Sequence, residues 1–430
     1  MSDSPLRFCI VSTFYPPWNF GGDGIYAHRL ANGLARRGHR VTVLHSPSAY
    51  EMLAGGPPKG AYHDRDGVEV HGIPTPLGSL GLLLTQQLGY PCLQAPALRS
   101  MLHDGAYDVI HYNNVSLLGG PQVFRYGRGL KLCTLIEHWL VCPTHVLWKF
   151  NREVCTRPSC VRCQLIHRRP PQWWRYTGLM RRATRSIDAF IGPSLFTMRM
   201  HRERGIRGRM VQLPLFDSRE GVPPAASRRQ NDGRPYFLFV GRLEKIKGVQ
   251  TIIPTFRETP EIELLIAGTG NYESELRRLA EGAANIRFLG RASRADLEAL
   301  YRDATATVVP SLCYETFGII VAESFCASTP VIVYAQSSLE EIVRTHGGGL
   351  MYRTPEELRA ALNRLRETPG LRDRLGREGR AAYDAEFGEE PFLSHYLDVV
   401  YALLEEKRAG SAAAQARDGV AMLAGRPLFE

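Results

Sequence analysis

The sequence predicts an α/β protein built from two Rossmann-like, doubly wound domains that face each other across a cleft. Three observations carry that expectation. A chain of 430 residues exceeds one modest core and fits two α/β domains of roughly 200 residues each. Short apolar runs alternate with stretches of helical period twice over, once before residue 216 and again after residue 236. Between these series, residues 217–235 are rich in Pro, Arg, Ser and Gly and show no period, which marks a linker. The expected layout is a first domain at 1–216, the linker, a second domain at 236–407 whose last helix packs back on the first, and a flexible tail at 408–430.

Composition is that of an ordinary globular protein, 44% hydrophobic and 22% charged, and no apolar run reaches the ~18–20 residues of a membrane span. The short apolar run at 8–14 reads as a first strand and not as a leader, so a cytoplasmic protein is expected, at most peripheral on the inner face of a membrane. The net charge of +10 is concentrated. Between Lys149 and Arg185 the basic residues meet a single acid, Glu153. That segment belongs to an insertion at 139–185 and implies an anionic partner, such as a membrane surface or a charged acceptor. Nucleic acid is not expected, because the charge sits in one insertion and not on a recognisable binding module. Four of the nine cysteines, Cys142, Cys155, Cys160 and Cys163, share the insertion. The spacing of Cys160 and Cys163 suits a structural zinc, while the irregular remaining gaps favour reduced packing thiols.

Residues 6–14 form the first expected strand, followed by a loop ending in Gly21-Gly22 and a helix over 25–37 that Gly38 closes. Gly22 lacks the G-x-G-x-x-G context of a dinucleotide site, yet it lets backbone come close to a ligand. A strand at 40–45 completes the unit. Asp64-Arg65-Asp66 could bind a metal as D-x-D but reads better as a polar turn into the strand at 67–71. The Leu-rich 77–84 is expected as a packing helix, with contact to lipid the weaker reading. Strands at 108–114 and 130–138 end in His111 and Asn113, and in Glu137 and His138. Side chains just past strand C-termini line the crevice of an open α/β sheet. Strands at 188–194 and 210–216 close the first domain.

In the second series, a strand at 236–240 runs into Gly241, Arg242, Lys247 and Gly248. Glycines allow a sharp turn after the strand, Arg242 offers a planar fork and Lys247 a compact charge. Together they make a clamp for a diphosphate leaving group. The strand at 262–267 leads into Gly268 and Gly270, and that at 286–290 ends at Leu289 and Gly290; Gly268, Gly270 and Leu289 are donor-site candidates at the same sheet edge. The run at 306–310 then reads as a buried strand and 319–326 as a helix, with Phe317-Gly318 at the helix start. Glu315 stays on the loop and Glu323 lies on the helix. Their eight-residue separation, roughly 12 Å at helical rise, suits a ribose at one end and a second sugar at the other. The free N–H groups of the helix start favour phosphate between them. Strands at 331–334 and 349–352 and helices at 355–367 and 391–407 finish the fold.

The G-R-L-x-x-x-K-G run at 241–248 and the E-x7-E motif from Glu315 to Glu323, with Phe317-Gly318 inside it, resemble the family 4 glycosyltransferases. The resemblance spans most of residues 6–405. It implies the two-domain GT-B fold, a nucleotide-diphosphate sugar donor such as a UDP- or GDP-sugar, no metal requirement, and retention of anomeric configuration. It also implies that Arg242 and Lys247 bind the donor diphosphate, Glu323 the ribose and Glu315 the donor sugar. The backbone at Phe317 and Gly318 would face sugar and phosphates, with Gly22 approaching from the first domain. Many members carry a His-Asp pair after the fifth strand. Here the run is Thr134-Leu-Ile-Glu-His-Trp-Leu140, with Ile136 at the His position, Glu137 for Asp, and His138 one step on, on the same side of an extended chain as Ile136. Transfer to a glycan, a lipid-linked or a small-molecule acceptor is the leading expectation. A nucleotide-sugar epimerase and a non-catalytic binder of anionic ligands are the rivals.

Overall fold

The computed structural model describes residues 4–58, 60, 62–218 and 235–424. The linker expected at 217–235 therefore lies almost wholly outside the described residues. The first sheet contains β1 (Arg7–Val11), β2 (Arg40–His45), β3 (Val68–Gly72), β4 (Val109–Tyr112) and β5 (Leu130–Thr134). After a small hairpin, β6 (Trp148–Lys149) and β7 (Glu153–Val154), it is completed by β8 (Ala189–Gly192) and β9 (Met210–Gln212). Its order is β3-β2-β1-β4-β5-β8-β9, and the registered pairs are parallel. The second sheet holds β10 (Tyr236–Val240), β11 (Glu263–Ala267), β12 (Ile286–Gly290), β13 (Ala306–Val309), β14 (Val331–Tyr334) and β15 (Gly349–Tyr352). They run in the order β12-β11-β10-β13-β14-β15, again parallel.

Parallel strands covered by helices on both faces must be apolar throughout, and β4, β5, β8 and β13 are buried at every position. Each sheet reverses its winding once, between β1 and β4 and between β10 and β13. At such a switch point the loops diverge to opposite faces and leave a crevice beyond the strand ends. The loops flanking the first crevice carry Gly22 and Asn114. Those flanking the second carry the 241–248 and 310–318 segments. The topology alone therefore sets the sequence's two main motifs side by side.

Helix signals match the sequence closely where caps are strong. Pro355–Glu367 starts at Thr354, whose side chain accepts from the Glu357 N–H, with Pro at the first turn. The final helix, Glu389–Ala424, continues through 408–424, where a tail was expected. Its Ser-Ala-Ala-Ala-Gln-Ala stretch is of high helix propensity, and extending an existing helix avoids the cost of nucleation. This helix returns to the first domain. Tyr396 Oη meets His111 Nδ1 at 2.8 Å, Lys407 Nζ donates to Asp188 at 2.7 Å, and Arg36 pairs with Glu389 at 2.6 Å. One apolar cluster runs from Phe8 and Ile10 through Phe392 and Tyr396 to Phe317 and Phe325. The two sheets are thus joined by a shared core as well as by the covalent connection.

Candidate active site

A cleft of about 860 Å³ lies between the two switch points. Its second-domain lip is built by the β13 loop. Glu315 accepts from Lys247 Nζ at 2.6 Å and also from Ser311 Oγ. Burial by itself would raise the Glu315 carboxyl; the Lys247 charge and the hydrogen bonds overcome it and hold the group below its usual value. Burial likewise opposes the Lys247 charge, and Glu315 more than compensates. The pair is therefore ionised, with Nζ protons left for an anion. Two glycines make this approach possible. Gly248 has φ +77°, and a Cβ there would sit 1.9 Å from the Pro310 carbonyl oxygen. Gly318, at φ +96°, starts the helix Ile319–Cys326, and a Cβ would press on Leu339 at 2.6 Å.

Glu323 lies on that helix and accepts from Tyr301 Oη at 2.8 Å. Burial, then the nearby Asp217 carboxylate, push its pKa up. Arg242 is more than half exposed and paired with Glu244 at 2.7 Å, so its guanidinium can swing toward the cleft it lines. Gly22, Glu137, His138, Arg242, Lys247, Glu315, Gly318 and Glu323 all line this one cleft. Gly268, Gly270 and Leu289 do not. Gly268 is needed because a Cβ would overlap the Gly241 carbonyl at 1.9 Å, and Gly270 because of Leu243. They shape the clamp from behind, while Leu289 packs beside Leu300 and Tyr301. The Phe317 ring is core, edge-on to Phe387 at 5.3 Å, and only its neighbours Thr316 and Gly318 reach the cleft.

The first-domain lip begins at the helix Gly22–Arg36, whose start at Gly21 carries no side-chain cap. A Cβ at Gly22 would meet nothing within 4 Å, so there is open space beside this helix start, which lines the cleft. Asp23 follows; burial and the Glu137 carboxylate raise its pKa, and it accepts from Asn114 at 3.1 Å. Glu137 Oε2 pairs with His145 Nδ1 at 2.8 Å, while its Oε1 is buried without a partner. His138 is different. Its Nε2 lies 3.2 Å from the Tyr314 carbonyl, its ring stacks on His201, and burial and His201 push it down to about 3. A neutral ring that donates to the donor loop ties the two lips together and is poorly placed to take a proton from substrate, contrary to the sequence reading of His138 as a catalytic substitute. Thr316 Oγ1 adds a second tie by donating to the Ile136 carbonyl at 2.9 Å.

Sequence reasoning did not find Asp23, Asn114, His145 or Arg29. Arg29 reaches from the first helix to Asp217 at 2.9 Å and, with it, to the neighbourhood of Glu323. Only the polar character of strand ends pointed toward these side chains. The D-x-D candidate is structural: Asp64 accepts from Tyr15 Oη and from Asn32 Nδ2. The four insertion cysteines gather near one another, and burial first and neighbouring thiols second push Cys155 up to about 11. Cys142 and Cys155 pack with Leu147, Phe196 and Met200. Among the described residues no group of three or more His, Cys, Asp or Glu is arranged to hold a metal.

Two Rossmann-like sheets meeting at their switch points, with an ionised lysine–carboxylate pair on one lip and an uncapped helix start on the other, define a two-domain transferase of the GT-B class. The model of the glycosyl transferases group 1 matches residues 225–382, and that of the glycosyl transferase 4-like domain matches 21–215. An uncharacterized glycosyltransferase of Methanocaldococcus jannaschii is 32% identical over 399 residues, covering 86% of this chain and 91% of the relative. The glycogen synthase of Mycobacterium tuberculosis is 26% identical over 418 residues, covering 89% and 91%. Among solved structures, sucrose-phosphate synthase from Thermosynechococcus elongatus superposes with a TM-score of 0.73 at 19% identity, covering 93% of this chain and 100% of that one. HepE of Anabaena, in complex with UDP and glucose, gives 0.65 at 17%, covering 92% and 100%. The chain belongs to the group 1 glycosyltransferases, and it is a glycosyltransferase.

Proposed function

We propose that the protein moves a sugar from a nucleotide-diphosphate sugar to a hydroxyl of a glycan, lipid-linked or small-molecule acceptor on the cytoplasmic side of the cell, with retention. The observation that carries this reading is the Lys247–Glu315 pair lining the same cleft as Gly22, at a helix start with no side-chain cap. Arg242 and Lys247 would bind the donor diphosphate, Lys247 holding it as negative charge builds on it during bond breaking, and the Gly22 helix start would add backbone donors. Glu315 retains a second oxygen for a sugar hydroxyl, and Glu323 offers one for the ribose. The acceptor would enter from the first-domain lip, where the unpartnered Glu137 oxygen and His145 can orient a hydroxyl. On one face of the donor sugar, the departing diphosphate oxygen would receive the acceptor proton, so no protein base is required.

HepE was solved with UDP and with UDP-glucose, which favours a UDP-sugar as the first donor to try. The test is donor turnover with and without acceptor. Acceptor-dependent release of nucleoside diphosphate supports transfer. Conversion of the donor sugar with no acceptor present would instead identify an epimerase. The anomeric configuration of an isolated product decides retention.

A further inference from the structure

All large apolar side chains that are exposed among the described residues lie in the first domain, between Phe20 and Leu195. Several are gathered on one face. Helix Ser79–Leu88 buries Gly81, Leu82 and Thr85 and turns Leu80, Leu83, Leu84 and Leu88 outward, at 55, 42, 36 and 55% exposure. It carries no charged residue at all. Its C-terminal end packs on the turn Trp173–Tyr176: Trp174 Nε1 donates to the Gln86 carbonyl at 2.8 Å, and a Cβ at Gly89 would collide with the Trp174 ring. The same turn exposes Trp173 and Tyr176, at 62 and 60%. Leucines on the outer side of a helix, continued by an outward Trp and Tyr, form an unpartnered apolar face and not a scatter of single residues.

The charge along the segments that build this face is one-sided. No acid occurs between Glu69 and Asp104 or between Glu153 and Asp188, whereas Arg168, Arg169, Arg181 and Arg182 are all exposed. A second copy of the chain would bring these arginines against themselves. An anionic layer with an apolar interior satisfies both the arginines and the leucines, with Trp and Tyr at the boundary. No helix among the described residues is long and apolar enough to cross a membrane, so the contact is peripheral. The face is also continuous with the cleft, whose first-domain mouth is lined by Met52, Leu53, Leu83 and Arg169.

We propose that this face docks on the surface of an anionic phospholipid bilayer, with helix Ser79–Leu88 and the Trp173–Tyr176 turn entering the interface and the cleft mouth opening at the lipid. The docking stands on the surface alone; that the mouth receives an acceptor held in the bilayer rests on the assignment of the first-domain lip to the acceptor. Co-sedimentation of the full chain with phosphatidylcholine vesicles, with and without phosphatidylglycerol, tests it without any substrate. The wild type is expected to pellet with the anionic vesicles and to be released by salt. Leu80→Ser/Leu84→Ser/Trp173→Ser is expected to bind at least about tenfold less while melting at the wild-type temperature, because all three side chains face solvent. Wild-type protein that stays in the supernatant with anionic vesicles, or a triple variant that pellets as well as wild type, overturns the proposal. So does a lipid-free wild-type dimer that the triple variant turns into a monomer, since the face would then serve a second copy. Intact vesicle binding with transfer only to a soluble acceptor would overturn the acceptor assignment and leave the docking standing.

Discussion

The two domains share a fold plan and differ in how their surfaces are finished. In the second domain Lys247 pairs with Glu315 and Arg242 with Glu244 at the cleft, Glu323 accepts from Tyr301, and no large apolar side chain is left exposed among the described residues. In the first domain Glu137 and His138 keep buried polar atoms without partners, and leucines and aromatics face solvent. A self-contained half suits a ligand of fixed shape such as a nucleotide sugar. A half with open valences suits a partner that varies, which is how one scaffold serves many acceptors.

That contrast can be broken most directly at Lys247. Lys247→Ala is expected to lower transfer by about 10²–10³-fold or more, because it removes charge from the leaving group. It should also cost about 1–3 kcal/mol of stability by stranding the Glu315 carboxylate. Lys247→Met combined with Glu315→Gln should recover most of the melting temperature and none of the activity. Recovery of turnover in that double variant would refute the clamp. Next in size is a pH effect seated in the first domain. Burial depresses His111 and His138 to about 3 and His45 and His201 to about 4. Their unfolded forms take up protons first, so their contribution is complete above about pH 6.5 and is lost as pH falls to about 4 for His45 and His201 and to about 3 for His111 and His138. Each is expected to cost about 1 kcal/mol per pH unit in that window, read as a falling midpoint of denaturation. His138→Gln should flatten part of that slope; an unchanged slope would contradict the burial argument.

Smaller effects sharpen the comparison. Arg242→Ala should raise the donor KM by about tenfold with little change in kcat, since its guanidinium is half in solvent. A fall in kcat as large as that of Lys247→Ala would mean that Arg242 also meets the transition state. Glu341 accepts from the Leu195 and Phe196 N–H groups at 2.8 and 2.7 Å and so caps a first-domain helix from the second domain. Glu341→Ala should cost about 1 kcal/mol in chemical denaturation and leave donor binding unchanged.

Much of the fold was legible because its signals are local. Helix Ile319–Cys326 begins just after the Gly318 that the sequence marks, and Pro355 opens the helix Pro355–Glu367. The donor motifs were legible because both lie within single strand-to-helix connections. Contacts between distant segments were not. Nothing local links Thr316 to Ile136, 180 residues away, or Arg29 to Asp217. Residues 77–84 read first as a packing helix and second as a contact with lipid; a run of Leu and Gly without charges does not separate the two, and only the fold reveals which leucines face solvent.

The ties at Tyr314 and Thr316 have a thermodynamic consequence. Ser194 Oγ and Thr197 Oγ1 donate to the Thr316 carbonyl at 2.8 and 3.0 Å, in addition to the His138 contact with Tyr314. The segment that carries Glu315 is therefore held from both sides of the cleft. Any ligand whose binding reshapes this segment changes the free energy with which the halves hold one another. By reciprocity, whatever pulls the halves together changes the affinity for that ligand by the same factor. For such a ligand, affinity and the angle between the domains are then a single linked equilibrium. The segment between the two glutamates is where that linkage is set.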